Sequence, residues 1–184
     1  MGIKRYTANS DTTITNAYKA NLTTRGTGSN MGRADSLEVF SIYAQESSGS
    51  SELSRILVGF PISTITSDRS DGTIPASGSI KFFLRMFNAV TPFTVPRDFT
   101  LTVAAVSGAH NSNTPKQYDF NWQEGNGIDM ENYTNVTRDG IGANWLNMGS
   151  SSTDGTLKWG SSASPTAGGV YYTDNSSSFT VSFD

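Results

Sequence analysis

Three carboxylates crowd beside a tryptophan in the segment 121–134, which reads NWQEGNGIDMENYT. Glycoside hydrolases use two carboxyl groups roughly 5 to 9.5 Å apart across a bound sugar. Glu124, Asp129 and Glu131 could supply such a pair only if two of them faced each other across a groove. Acids that share one glycine-containing loop more commonly keep that loop in contact with water. Glycoside hydrolysis is therefore the least favoured function for this chain.

Calcium is a second chemistry that these residues could support, because the ion prefers oxygen ligands. Glu124, Asp129 and Glu131 are the candidate ligands, and the glycines between them allow a tight turn. Their spacing does not match the twelve-residue calcium loop, which places oxygens at alternate positions and ends in a glutamate. We therefore predict neither a metal nor any other cofactor for this chain.

Nucleophilic catalysis and zinc binding are disfavoured by the composition. The chain has no cysteine and a single histidine, His110, within the loop-like stretch SGAHNSNTPK. A histidine-assisted cysteine nucleophile and a zinc site of histidines and thiolates both need residues that the chain lacks. The sequence thus predicts a protein that is not an enzyme.

Charge and hydropathy narrow the classes of partner. A formal net charge of −3 provides no basic stripe to neutralise phosphates, so we expect no nucleic-acid partner. The first residues, MGIKRYTANSDTTIT, contain no apolar run that could serve as a leader or a membrane span. We expect a chain that is made and used without crossing a membrane through a cleaved leader.

Aromatic residues late in the chain provide a candidate glycan-binding surface. Sugars bind flat rings that have polar groups beside them, and Trp145, Trp159, Tyr171 and Tyr172 lie in loop-flanked stretches. Such residues are more commonly part of the core or the edge of a sheet. An exposed shelf of these rings would indicate binding of a host-surface glycan.

These candidate residues lie on or between β-strands, because apolar and polar residues alternate repeatedly along the chain and long helical patterns are absent. The chain of 184 residues can enclose one core, and Gly- and Ser-rich turns separate its apolar runs. We predict an all-β fold, an antiparallel β-sandwich of jelly-roll-like form. The predicted strands are 36–44, 53–60, 80–87, 99–106, 118–122, 156–159, 170–173 and 179–183, and the weak helical candidates are 16–22 and 130–135.

Three of these strands carry detailed expectations. The run 36–44 is apolar on both faces, as in a strand buried within a sandwich. In 53–60, Ile56, Val58 and Phe60 share one face, and in 80–87 the alternation predicts one face in the core.

Several short motifs follow one another in an order that resembles the DNRLRE-type β-sandwich family. Such modules are similar to carbohydrate-binding jelly rolls of secreted and wall-associated bacterial proteins. The fuller stretches KRYTANSDTTITNAYKANLTTRGTGSNMG and WQEGNGIDMENYT are more similar to structural proteins of marine tailed bacteriophages. The motifs are DTTIT at 11–15, NMG at 30–32, LEV at 37–39, SRILVGFPI at 54–62, SIKFFL at 79–84 and WQEGNGID at 122–129.

The resemblance implies a structural role for the acidic loop. Arg55 would tie a neighbouring loop by hydrogen bonds, and Trp122 would cap the sandwich. Glu124 and Asp129 would fold the loop back by accepting bonds from backbone N–H groups. One domain would span 1–184, with 1–33 as a candidate extended arm. The closing strands usual in such domains are missing after SSSFTVSFD, so neighbouring subunits or further chain would cover the open edges.

The resulting expectation is a non-enzymatic structural protein of a tailed-phage virion, assembled in the cytoplasm of the host bacterium. It would occupy an exterior head, neck or tail appendage, and its partners would be copies of itself and other virion proteins. The alternative is an adhesin module that binds a host-surface glycan.

Overall fold

A computed structural model of the chain describes residues 2–75, 80–90, 99–106, 122–131, 142–151, 155–161, 164–171 and 178–183. Strands predominate among these residues and one short helix occurs, which confirms the predicted all-β class. The elements are β1 (Ser10–Thr15), β2 (Ser41–Tyr43), β3 (Ser51–Gly59), α1 (Ile62–Ser70), β4 (Phe99–Ala104), β5 (Asn147–Ser151), β6 (Gly155–Lys158), β7 (Gly160–Ser161), β8 (Ser164–Pro165) and β9 (Ser178–Phe183).

Within the described residues the strands form four antiparallel sheets. The largest has the order β1-β3-β2, with β3 in the centre. β4 pairs with β9, β5 pairs with β6 and β7 pairs with β8. The strands predicted at 53–60, 99–106, 156–159 and 179–183 are confirmed by β3, β4, β6 and β9.

β1 is buried on both faces although most of its residues carry hydroxyl groups. Thr12, Thr13, Ile14 and Thr15 are all buried. Hydrogen bonds compensate the threonine hydroxyls, as burial of a polar group requires. The Thr15 hydroxyl donates to the carbonyl of Leu53 at 2.8 Å, for example. Part of the segment 1–33 is thus packed into the domain.

The core gathers residues from distant parts of the chain. It contains Ile14 of β1, Leu57 of β3 and a cluster from the segment 143–159. Trp159 is fully buried, and its indole N–H donates to the carbonyl of Asn144 at 2.7 Å. On β3 the side chain of Leu57 is buried, whereas Ile56 and Val58 are half-buried. Leu57 lies on the face of the strand opposite to the one that Ile56 and Val58 share.

Two predicted core strands are wrong. Of 36–44 only Ser41–Tyr43 forms a strand, at the edge of its sheet, and its side chains are exposed. Residues 80–90 form no strand, and Phe82, Phe83 and Phe87 are exposed. Alternation of apolar residues shows which side chains could be buried, but it does not supply a neighbouring strand.

The helical predictions also differ from the structure. Residues 16–22 are not helical, because Tyr18 pairs with Arg25 in a β-bridge and the Arg25 guanidinium lies 4.2 Å from the Tyr18 ring centroid. Residues 130 and 131 form a turn, and 132–135 lie outside the described residues. The observed helix, α1, buries none of its residues and therefore leaves no amphipathic pattern in the sequence.

Candidate functional site

Asn30 connects three segments of the chain through one buried side chain. Its amide N–H₂ group donates to the carbonyls of Glu124 at 2.7 Å and of Ala143 at 2.9 Å. Its amide oxygen accepts from the backbone N–H of Gly127 at 2.8 Å. A return bond of 2.8 Å runs from the backbone N–H of Arg33 to the carbonyl of Gly127. We call this set of contacts the Asn30 interlock.

The interlock depends on glycine, because the segments approach too closely for a side chain. A Cβ atom on Gly127 would overlap the carbonyl of Asn30, and one on Gly32 would overlap the carbonyl of Glu124. Both obstacles are backbone atoms, which cannot move aside as the end of a side chain can. The glycines of the acidic loop therefore serve packing between backbones.

The three acids of the loop each accept a bond from a backbone N–H group. Glu124 accepts from Asp11 of β1 at 2.9 Å, Asp129 accepts from Glu131 at 2.8 Å, and Glu131 accepts from Ala20 at 2.6 Å. Asp129 thus folds its own loop back, whereas Glu124 contacts β1 of the β1-β3-β2 sheet. Carboxylates that accept such bonds stabilise the local backbone.

The candidate calcium ligands Glu124, Asp129 and Glu131 bond to three different segments of the chain. Among the residues that the structure describes, no group of three acidic, histidine or cysteine side chains could hold a metal ion. The same residues include no helix that is long and apolar enough to cross a bilayer.

Burial beside another acid perturbs one carboxyl group next to the loop. Asp11 is partly desolvated and also lies close to Glu124, and these two effects raise its pKa above the usual value. Because its backbone N–H donates to Glu124, the two acids are held near each other by the fold itself.

Arg55 lies close to two aromatic rings at the edge of the core. Its guanidinium carbon is 5.1 Å from the Trp145 ring centroid and 4.9 Å from that of Tyr171. One of its terminal nitrogens donates to the carbonyl of Gly168. The resemblance implied that Arg55 ties a neighbouring loop by hydrogen bonds, and the structure gives one such bond, to Gly168. The two aromatic contacts were not predicted.

The candidate glycan-binding aromatics do not form one exposed shelf. Trp159 is 0% exposed and Trp145 is 8% exposed, so neither ring offers a face to a sugar. This corrects the expectation for both tryptophans. Tyr171 is 41% exposed, and Tyr172 lies outside the described residues. Trp122 is half-buried and packs against the core cluster.

A cleft of about 320 Å³ lies between the acidic loop and the segment 31–40. Its volume is at the small end of the range for ligand pockets. One aromatic ring, that of Phe40, lines it together with three carboxylate residues, Asp35, Glu38 and Asp129. The complete lining is Thr15, Met31, Ala34, Asp35, Ser36, Glu38, Phe40, Ile128, Asp129 and Met130.

Residues 80–90, here named the aromatic segment, form the most apolar exposed stretch of the described chain. Phe82 is 71% exposed, Phe83 is 85% exposed and Phe87 is 79% exposed. Two cations, Lys81 and Arg85, alternate with these rings and are also exposed. Three large, exposed apolar side chains within six residues are a candidate site of contact with another molecule.

Asn30 was not predicted as a site residue, although it lies within the motif NMG at 30–32. Two glycine-containing motifs almost a hundred residues apart, NMG and WQEGNGID, were the sequence feature that could have indicated this contact. Close approach of two backbone segments needs glycine on both sides. Comparisons of this chain with protein-family models, with curated proteins and with solved structures give no match.

Proposed function

We propose that this chain is a non-enzymatic structural protein of a tailed-phage virion. In this proposal it is an antiparallel β-sandwich of jelly-roll-like form in an exterior head, neck or tail appendage. Its partners are copies of itself and other virion proteins, and it needs no cofactor, nucleic acid or membrane.

Contacts between the motifs that carry the family resemblance support this proposal. The motif DTTIT lies in β1 and pairs with β3, which contains most of SRILVGFPI. The motif NMG joins WQEGNGID through Asn30. Short motifs that are scattered along a sequence and yet meet in space are better explained as parts of one fold than as chance matches.

The observation that carries the assembly role is the exposure of the aromatic segment. Phe82, Phe83 and Phe87 present apolar surface that water solvates poorly, and their stretch has the alternation of a strand without pairing as one. Burial of that surface against another subunit would stabilise an assembly by about 25 cal/mol per Å² of apolar area.

Association in solution tests the assembly role. We expect the wild-type chain to self-associate as its concentration rises in sedimentation velocity, and the triple variant Phe82→Ser, Phe83→Ser, Phe87→Ser to remain smaller. Tyr43→Ser is the matched control, because Tyr43 is an equally exposed ring of the described chain outside the segment. Equal association of the triple variant and the wild type would remove the role of the segment.

Placement in a virion has its own test. Antibodies raised against the chain should label purified particles in electron micrographs, at the head, the neck or a tail appendage. Peptides of the chain should also be found in those particles after removal of loosely bound protein. Particles that lack the chain would overturn the virion proposal.

The cleft favours glycan binding as a second candidate function. An aromatic ring beside carboxylates combines an apolar face with hydrogen-bond acceptors, and sugar hydroxyl groups can use both. Binding to an array of bacterial surface glycans, with loss in Phe40→Ala and retention in Tyr43→Ala, would support this candidate. An array without any bound glycan would remove it.

A further inference from the structure

Asn126 and Gly127 form the single Asn-Gly pair in the whole sequence. In a flexible peptide the backbone nitrogen of such a glycine attacks the side-chain carbonyl carbon of the asparagine. Glycine offers little steric resistance because it lacks a Cβ atom, and asparagine is among the thermolabile residues. The pair is therefore the position at which this chain is chemically most prone to deamidation.

The fold requires glycine at the second position of this pair. Gly127 is buried, and any Cβ atom at this position would overlap the carbonyl of Asn30. Asn126, in contrast, is an exposed residue. Glycine is therefore required at the nucleophilic position, next to an exposed asparagine.

The attacking nitrogen is nevertheless held in a hydrogen bond. The backbone N–H of Gly127 donates to the amide oxygen of Asn30 at 2.8 Å. Asn30 is itself buried and fixed by two further bonds, to Glu124 and Ala143. The nitrogen cannot lose its proton or turn towards the Asn126 carbonyl carbon without breaking a buried bond, which is costly.

We propose that Asn126 is a deamidation site that the Asn30 interlock keeps closed, so that modification occurs only when the loop opens. The residue that requires glycine at 127, Asn30, is also the residue that protects the pair. This inference is independent of the virion proposal, because it follows from the geometry of the loop in any assembly.

The reaction is balanced with water as its only co-reactant. A bond forms between the Gly127 nitrogen and the Asn126 side-chain carbonyl carbon, and the bond from that carbon to the amide nitrogen breaks. Ammonia leaves with the proton that the Gly127 nitrogen releases. Water then opens the cyclic imide at either carbonyl, which gives aspartate or isoaspartate at position 126.

The isoaspartate product would prevent the interlock from closing again. It adds one carbon to the main chain immediately before Gly127. In the unmodified loop, Gly127 donates to Asn30 and accepts from the backbone N–H of Arg33, both at 2.8 Å. A longer main chain before Gly127 is incompatible with keeping both bonds together. A single opening event followed by the reaction would therefore leave the loop open.

The test compares deamidation rates at Asn126 by peptide mass mapping, with separation of aspartate from isoaspartate. Native protein and a synthetic peptide of residues 122–131 are aged in the same mildly alkaline buffer. We expect the native rate to be about a hundredfold lower, because the closed loop must open first. Equal rates in protein and peptide would overturn the proposal.

Variants connect the protection to Asn30. Asn30→Ala should raise the rate at least about tenfold towards that of the peptide, since opening then breaks fewer buried bonds. Asn21→Ala, at an exposed asparagine, is the matched control and should leave the rate unchanged. A folded Asn30→Ala variant with the wild-type rate would contradict the role of Asn30.

A measurement on wild-type protein covers the case in which Asn30→Ala does not fold. Hydrogen exchange of the Gly127 backbone N–H and deamidation of Asn126 are followed together at increasing urea concentrations below the unfolding transition. The two rates should rise in parallel, because both need the same opening. Deamidation that is constant while exchange accelerates would disprove the proposal.

Discussion

The guanidinium of Arg55 lies 4.9 Å from the ring centroid of Tyr171. The same group faces the buried ring of Trp145 and donates to the carbonyl of Gly168. A guanidinium close to two aromatic rings is attracted to both, and its N–H groups can still donate hydrogen bonds. Arg55 thereby ties the segment that contains Gly168 and Tyr171 to the central strand β3.

Arg55→Lys should lower the free energy of unfolding by about 1 to 2 kcal/mol, because an ammonium group keeps the charge but not the planar stack. Urea denaturation followed by tryptophan fluorescence measures the change. Arg69→Lys, at an exposed position in the last turn of α1, is the control and should have no effect. Unchanged stability of Arg55→Lys would show that the stack contributes nothing.

Asn30→Ala should cost roughly 3 kcal/mol or more, because it leaves several buried backbone groups without hydrogen-bond partners at about 1 to 3 kcal/mol each. Asn21→Ala removes bonds to the backbone N–H groups of Thr23 and Thr24, which are exposed to water, and should cost far less. Chemical denaturation of both variants gives the comparison. Similar losses in the two would argue against a special role for the interlock.

Trp159→Ala should destabilise the chain by about 3 to 5 kcal/mol, as expected for removal of a fully buried aromatic ring. Trp122→Ala should cost less, because Trp122 is only half-buried. Thermal unfolding should therefore rank the two variants in that order. A Trp122 variant that is the less stable of the two would mean that Trp122 covers more of the core than its exposure indicates.

Asp11→Asn should stabilise the chain at neutral pH. A carboxyl group with a raised pKa holds its proton more tightly when folded, so its contribution is present at low pH and is lost as the pH rises through the folded pKa. The advantage of the variant should disappear below the ordinary pKa of 3.8. Urea midpoints measured across this range test the sign.

Asp71→Asn provides a control of opposite sign for that experiment. The pKa of Asp71 is lowered, first by the hydrogen bond from the Thr73 backbone N–H, so its contribution is present above the ordinary value and is lost as the pH falls. This variant should be less stable than the wild type at neutral pH. Variants at Asp11 and Asp71 that shift stability in the same direction would contradict the assignment.

Strands were predictable from the sequence where a segment that alternates apolar and polar residues also has a neighbouring strand to pair with. β4 and β9 each alternate apolar and polar residues and pair over their full lengths. β1 was not predicted because Thr12, Thr13 and Thr15 look polar, and only hydrogen bonds to distant segments make their burial favourable. The aromatic segment gave a strong strand pattern without a paired neighbour, since pairing is a property of the whole fold.

The acidic loop was predicted in its general role but not in its partners. The resemblance implied that Glu124 and Asp129 fold their own loop back; Asp129 accepts from the backbone N–H of Glu131 in that loop, whereas Glu124 accepts from the backbone N–H of Asp11 outside it. The partner of Glu124 lies in β1, at a distance in sequence that spacing cannot indicate. Asn30 carries no charge and no periodicity, so nothing local distinguished it from the other asparagines of the chain.

Long separation along the chain is the common property of these contacts. Asp11 and Glu124 are 113 residues apart, as are Arg55 and Gly168, and Asn30 reaches Glu124 across 94 residues. Contacts of such high order form slowly. During synthesis, β1 emerges from the ribosome long before the loop that covers it. β1 is therefore exposed to water until the segment 122–131 has been made. Its threonine hydroxyl groups can bond to water during that time, which keeps the unpaired strand soluble.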